Sequence, residues 1–252
     1  VGQQIAERAR AVTDEYERFL AWAEQLRNTD VVRVASIPAA IPIVDAASDR
    51  WIGGHPERQL LLQDVSDQHR RDGGSALMEQ VRTWKIDLAI VAGEPETQRG
   101  LRSERLYLSS IRVLGGTDQG FAGRSTVELS ELISSSGLPI FASPMGHTSR
   151  DRIEATARSA GLQLDVGFSS DSVDALLDRA EAGRGVALVP SDALPVQRIT
   201  RSGALLPTLV VDGAPIVSQV SAYCRNVDVD GAEPVQGFWE ELLEAASDLR
   251  LD

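Results

Sequence analysis

From Val31 onward, short apolar runs alternate with amphipathic helical stretches, and that alternation leaves few folds open. A parallel strand covered on both faces reads as an unbroken apolar run, and its return to the same sheet needs a helical crossover. The runs are "VVRVAS", "QLLLQDV", "IDLAIVAG", "SSIRVLGG", "LPIFAS", "QLDVGFS", "GVALVPS" and "IVSQVSAYCR". Helices are centred between them on "PIVDAASDRWI", "SALMEQVRTW", "TVELSELISS", "SRDRIEATARSA" and "SVDALLDRAEA", and "PVQGFWEELLEAASDL" closes the chain. So many strands exceed a minimal doubly wound domain, and a chain of 252 residues is expected to divide into two α/β lobes. The linkers expected are "RNTD", "GGTDQGFAGRS" and "RNVDVDGAEP".

The segment before Val31 follows a different period. Ile5, Ala9, Val12, Tyr16, Phe19, Ala23 and Leu26 are separated alternately by four and three residues, a heptad seam on a long helix. The rest of that surface is charged ("ERAR", "TDEYER", "AEQLR"), so the stripe either docks on its own domain or pairs with a second copy. The strict spacing favours pairing, with Ile5, Val12, Tyr16, Phe19 and Leu26 as the dimerisation residues.

Charge and composition exclude several functions. Asp plus Glu outnumber Lys plus Arg by 37 to 25, and a net charge of -12 repels a polyanion, so these residues alone are expected to bind nucleic acid poorly. No apolar run approaches the ~20 residues of a membrane span, so no membrane is expected as a partner. Cys224 is the single cysteine, which excludes an internal disulfide. It reads as a buried structural thiol, and a reducing, cytoplasmic compartment is permitted. His55, His69 and His147 show no metal-ligand spacing. No GxSxG, GxxxxGK[ST] or GxGxxG follows a strand, and the glycines of "EAGRGVALVP" cap one helix and open the next strand. No catalytic set, metal or cofactor is expected, and a binding module is favoured over an enzyme.

In an open parallel sheet, ligands bind beyond the carboxyl ends of the strands. There the sequence places Ser36, Ile37 and Pro38 after "VVRVA", Gly93 at the close of "IDLAIVAG" and Ser143 through Thr148 after "LPIFA". It also places Ser169, Ser170 and Asp171 after "LDVGF", and Pro190, Ser191 and Asp192 after "GVALV". Thr148 with Asp151 fits a capping box and Gly161 a helix end. Capping needs one hydroxyl, however, whereas "SPMGH" leaves a wider loop whose amides near a helix start suit an anion. His147 is either a solvated loop histidine or a charge for that anion. Ser36 is either an N-cap or a hydroxyl at the mouth of its strand, and Pro42 either kinks the following helix or moves its start. Gly74 and Ser75 open the helix whose buried stripe is Leu77, Val81 and Trp84.

"VRVASIP", "KIDLAIVAG" and above all "SVDALLDRAEAGRGVALVPSDAL" resemble the effector-binding domain of LysR-type transcriptional regulators, from about Val31 to the final helix. The first segment resembles the linker helix that joins this domain to a winged helix-turn-helix, a unit not found in these residues. Trp84 stands where the family usually has Gly, and the "SDQHRRDGG" loop is longer than usual. The resemblance implies α/β architecture of two Rossmann-like lobes, the type 2 periplasmic-binding-protein fold, preceded by a linker helix. Lobe I is then 31–110 plus 226–252, and lobe II 111–225. A small-molecule effector, typically an organic anion, is implied between the lobes. It is expected to touch Ser36, Ser75, Ser143, Met145, Phe168 and Ser169, with Ile37, Pro38, Gly93 and Thr148 completing the set. A homodimer or homotetramer is implied, with DNA bound only through the absent unit. The rival readings are a transporter's solute-binding receptor and an enzyme on the same fold.

Overall fold

The computed structural model describes residues 2–25, 30–65, 74–115, 121, 123–135, 137–194, 206–226 and 233–248. The first element, α1 (Gly2–Gln25), is one uninterrupted helix. Its Ile5, Val12, Tyr16 and Phe19 are 56% to 69% exposed, so each keeps more than half of its surface accessible. Leu26 lies outside the described residues.

The chain divides into two compact units, one formed by the described residues up to Leu106 and from Ser221 to Asp248, the other by Tyr107–Val220. The chain leaves the first along β4 (Leu101–Leu114) and returns along β11 (Val217–Arg225), so both boundaries fall inside strands.

In the first unit, β1 (Val31–Ser36) pairs in parallel with β2 (Gln59–Asp64) and with β3 (Leu88–Ala92). β1 and β3 are almost wholly buried, as unbroken apolar runs in a central parallel strand should be. β2 carries an equally apolar "LLL" yet lies at the sheet edge, and Leu61 and Leu62 stay exposed. A 3-10 turn (Pro38–Ala40) leads into α2 (Ile41–Gly53). Pro42 therefore sits in the first turn of α2, where a missing N–H costs nothing, and produces no kink. α2 packs against the C-terminal helix, numbered below as α7 (Glu233–Asp248), through Trp51 edge-on to Phe238 at 5.7 Å. α3 (Ser75–Arg82) buries Leu77, Met78 and Val81. Trp84 does not continue that stripe, because the helix has ended and Trp84 turns at φ +64°. Its ring lies under the Arg225 guanidinium at 3.8 Å. Arg225 also binds the fully buried Asp87 (Nη2 to Oδ1, 2.8 Å) and donates to the Val81 and Ile86 carbonyls.

In the second unit, β6 (Ile140–Ala142) lies between the parallel strands β7 (Val166–Ser169) and β8 (Val186–Pro190). β8 pairs antiparallel with the far half of β4. β5 (Thr126–Glu128), β9 (Thr208–Val211) and β10 (Ala214–Pro215) extend the unit. "TVELSELISS" is thus not all helix: Thr126–Glu128 is a strand paired with β9, and α4 (Leu129–Ser135) begins only at Leu129. α5 (Thr148–Ser159) and α6 (Val173–Glu181) follow β6 and β7. At the entry to β8 the chain passes so close to Pro139 that a Cβ on Gly185 would lie 2.2 Å from the Pro139 carbonyl oxygen. The glycine in "GRGVALVP" is required by that approach, which the Val186 N–H to Pro139 O bond of 2.9 Å fixes.

Candidate ligand site

The carboxyl ends of β1 and β3 gather the first unit's expected residues. Ser36 lies opposite Asp64 and Ile90 in register, and the Ile37 amide donates to the Ile90 carbonyl. Gly74, the N-cap of α3, lies against Val91 of β3, which brings Ser75 to the same end. Ser36, however, is fully buried, and its hydroxyl donates to the Ile37 carbonyl at 3.0 Å, so it neither caps a helix nor opens to solvent. Ile37 is half-buried, and Pro38 and Ser75 are exposed. Gly93, at φ +142°, accepts the Ser221 hydroxyl at 2.8 Å and has open space where a Cβ would stand.

In the second unit the loops after β6 and β7 are adjacent, because Ala142 pairs with Ser169 and the Ser170 amide donates to the Ala142 carbonyl. His147 joins them: it is largely buried, and its Nε2 lies 2.7 Å from Asp171 Oδ1, so it is not a solvated loop histidine. The capping box is absent. His147, not Thr148, is the residue before the helix, without a side-chain cap. Asp151 turns back to accept the Gly146 amide at 3.0 Å, and the His147 amide donates to the Pro144 carbonyl. The positive helix start thus already faces a carboxylate of its own chain, and two amides expected to be free for an anion are used. Arg150 is paired with Glu154 (Nε to Oε1, 3.0 Å) and reaches the Ser143 carbonyl at 3.5 Å.

Around this loop Met145 and Ser169 are exposed, while Ser143 and Thr148 are half-buried. Phe168 packs edge-on to Phe141 at 5.8 Å, with the Arg179 guanidinium 4.2 Å over its ring, and so belongs to the wall holding β6, β7 and α6 together.

The end of β8 holds a polar cluster whose contacts sequence reasoning missed. Asp192 Oδ1 accepts from the Ser109 hydroxyl at 2.6 Å, and its Oδ2 accepts from the Tyr107 hydroxyl at 3.0 Å. The Asp192 amide donates to Ser109 Oγ at 3.3 Å, and the Ser191 hydroxyl lies 3.2 Å from that same oxygen. Burial pushes the Asp192 carboxyl above its ordinary range against the downward pull of these donors, and burial likewise raises the Tyr107 phenol. No Lys, Arg or His pairs with Asp192 among the described residues. Nor do any three His, Cys, Asp or Glu among them form a metal cluster.

The family profile described as LysR substrate binding domain matches residues 49–247. The chain belongs to this LysR family. It is 30% identical over 171 residues, 68% of its length, to a "Hydrogen peroxide-inducible genes activator" of Dickeya chrysanthemi, and the match spans only 50% of that relative. Its fold is that of LysR regulatory domains, the type 2 periplasmic-binding-protein fold. HinK, a LysR family transcriptional regulator from Pseudomonas aeruginosa, superposes with a TM-score of 0.68 at 17% identity, over 98% of this chain and 81% of HinK. The Synechocystis PCC6803 CcmR regulatory domain in complex with 2-PG gives 0.66 at 18% identity, over 87% of this chain and 99% of that one. No helix among the described residues of this LysR-family chain is long and apolar enough to cross a membrane.

Proposed function

We propose that the chain is the effector-sensing part of a LysR-type transcriptional regulator, which binds a small metabolite at the carboxyl-end loops of its parallel strands and performs no catalysis. The observation that carries this reading is the LysR substrate-binding domain itself, together with its strand-end loops taken unit by unit: exposed Ser75 and the turn residue Gly93 in one, exposed Ser169 with half-buried Ser143 and Ser191 in the other. An effector shifts such a domain only by its differential affinity for two arrangements, and about 1 to 3 kcal/mol is typical for regulation of this kind. The uncovered α1 seam suits a second copy, through which the change would pass to a DNA-binding unit outside these residues. That seam also favours a regulator over a transporter's solute receptor, which needs no self-pairing helix.

The named peroxide-inducible relative invites a redox reading, which the thiol chemistry of this chain opposes. Peroxide reacts with a thiolate, and a reversible sensor resolves the product with a second thiol. Here Cys224 is the single cysteine, it is buried, and burial pushes its thiol up to about 11. Non-covalent binding is therefore the input we assign. A thermal-shift screen of metabolites, followed by calorimetry on Ser143→Ala and Ser169→Ala, tests the reading, because a ligand that binds only the folded state raises its stability. The expected result is a hit whose affinity both variants weaken without loss of folding. Unchanged affinity in both removes the β6 and β7 loops from the site.

A further inference from the structure

We propose that His147 and Asp171 are positioning residues that lock the loops after β6 and β7 into one face, so that a ligand held by either loop meets the other in fixed register. This rests on the sensor reading above and names the two side chains on which the second unit's part of it depends. Neither needs to touch the ligand, because each acts through the loop that carries it.

Backbone pairing loosens just where these loops begin. β6 and β7 run in register as far as Ala142 and Ser169, and the next backbone contact, from the Ser170 amide to the Ala142 carbonyl, has lengthened to 3.4 Å. Beyond it the loops are joined at 2.7 Å, by His147 Nε2 and Asp171 Oδ1. An ionised Asp171 has only acceptors, so Nε2 donates, and the bond holds with the ring neutral or charged. The His147 side chain is 10% exposed against 45% for Asp171, so water competes for the bond from the carboxylate side alone.

Each partner is tied into its own loop and helix. His147 is the residue before α5; its amide donates to the Pro144 carbonyl, and its carbonyl accepts the Asp151 amide at 2.9 Å. The Asp151 carboxylate in turn accepts the Gly146 amide, and Arg150 reaches the Ser143 carbonyl, so a shift of His147 is passed along the stretch from Ser143 to Gly146. Asp171 lies between Ser170, whose hydroxyl accepts the Ser172 amide at 3.1 Å, and Ser172, whose hydroxyl caps α6 by accepting the Ala175 amide at 3.2 Å. The pair thus joins two strand ends and two helix starts, and the joined loops carry exposed Met145 and Ser169 with half-buried Ser143. Loops already ordered against each other have less freedom to lose when a ligand binds.

Amide hydrogen exchange of the 252-residue chain, read residue by residue with no ligand added, tests the lock. Asp171→Ala is expected to speed exchange about tenfold at Gly146 and His147 in the other loop, and His147→Ala to do the same at Ser170 and Ser172, as the loss of a hydrogen bond to a charged group predicts. Each single change already frees both loops, so the double variant is expected to add little. Asp171→Asn, whose side-chain oxygen still accepts from Nε2, is expected to exchange more slowly at Gly146 and His147 than Asp171→Ala. Exchange that rises only in the substituted residue's own loop, effects that add in the double variant, or equal rates in Asp171→Asn and Asp171→Ala overturn the proposal. Should His147→Ala not fold, the two variants at the exposed Asp171 still decide. No ligand enters the measurement, so a failed lock leaves the sensor reading standing, and the calorimetry on Ser143→Ala and Ser169→Ala tests that reading separately.

Discussion

Replacing Val12 by Asp tests the apolar seam of α1 where its energetics are most finely balanced. Ile5, Val12, Tyr16 and Phe19 are 63%, 69%, 60% and 56% exposed. Burying a large apolar side chain completely contributes about 2 kcal/mol, so each of these gains roughly 1.2 kcal/mol on pairing. Eight such side chains in a pair of helices give on the order of 10 kcal/mol, comparable with the ~4 to 15 kcal/mol cost of association. A seam so close to balance cannot tolerate a charge at its centre. Val12→Asp removes about 2.4 kcal/mol across the pair, before counting the repulsion of two facing carboxylates, and should raise the dissociation constant at least about 60-fold. Sedimentation velocity over a micromolar concentration series, with Val12→Leu as control, reads this directly. Superimposable weight-average curves for wild type and Val12→Asp would refute the seam as an association surface, whatever else holds copies together.

Three further substitutions probe the interior. Arg225→Met takes the nearest cation from the fully buried Asp87, which keeps the Arg33 amide at 2.8 Å and guanidinium at 3.7 Å, and removes a donor from the Val81 and Ile86 carbonyls, so urea unfolding should show a loss of about 2 to 3 kcal/mol; a loss under about 1 kcal/mol would refute the pair's role. Gly185→Ala forces a Cβ to within 2.2 Å of a backbone carbonyl that cannot retreat, and should cost about 3 kcal/mol; an unchanged melting temperature would show that the β6–β8 entry is looser than its geometry. Asp192, whose carboxyl is held above its ordinary range by burial, keeps its proton to a higher pH folded than unfolded. That part of the stability is greatest below the ordinary carboxylate pKa and falls as pH rises through the raised one. Asp192→Asn should therefore flatten the decline that sets in as pH rises above the ordinary carboxylate pKa of about 4, and parallel denaturation midpoints for the two proteins would contradict this.

Much of the fold was legible because a buried parallel strand has an apolar signature that little else imitates. "VVRVAS" coincides with β1 residue for residue, and the 3.6-residue period located α2, α5, α6 and α7 to within a few residues. What escaped was short or alternating. β4 begins at Leu101, in "LRSERLYL", where half-buried alternation is diluted by charge. β9 and β10 are brief, although the Asp212-Gly213 turn between them, at φ +50° and +75°, carries the Asp-Gly signal of a two-residue hairpin. Trp84 shows a departure from the family and its remedy together. The backbone turns left-handed at that position, which explains the usual glycine, and here a tryptophan bears that conformation with its ring held under Arg225.

The strand ends were legible in place, but the contacts of their side chains were not, and both outcomes have one cause. Topology dictates that strand ends host ligands, so Ser36, Gly93, Ser143, Ser169 and Asp192 could be marked without knowing a single contact. Which hydroxyls stay available depends instead on partners far away along the chain. Tyr107 and Ser109 reach Asp192 across separations of 85 and 83 residues, and Ser36 turns its hydroxyl onto the adjacent carbonyl. The amides of "SPMGH" suited an anion only while Asp151 was taken as part of a cap; once its carboxylate bends back to Gly146, the same loop presents negative charge. The spacing of Thr148 and Asp151 looks the same in sequence whether the carboxylate caps Thr148 or reaches Gly146, and only the folded loop tells the two apart, because the difference lies in which backbone amide the carboxylate meets.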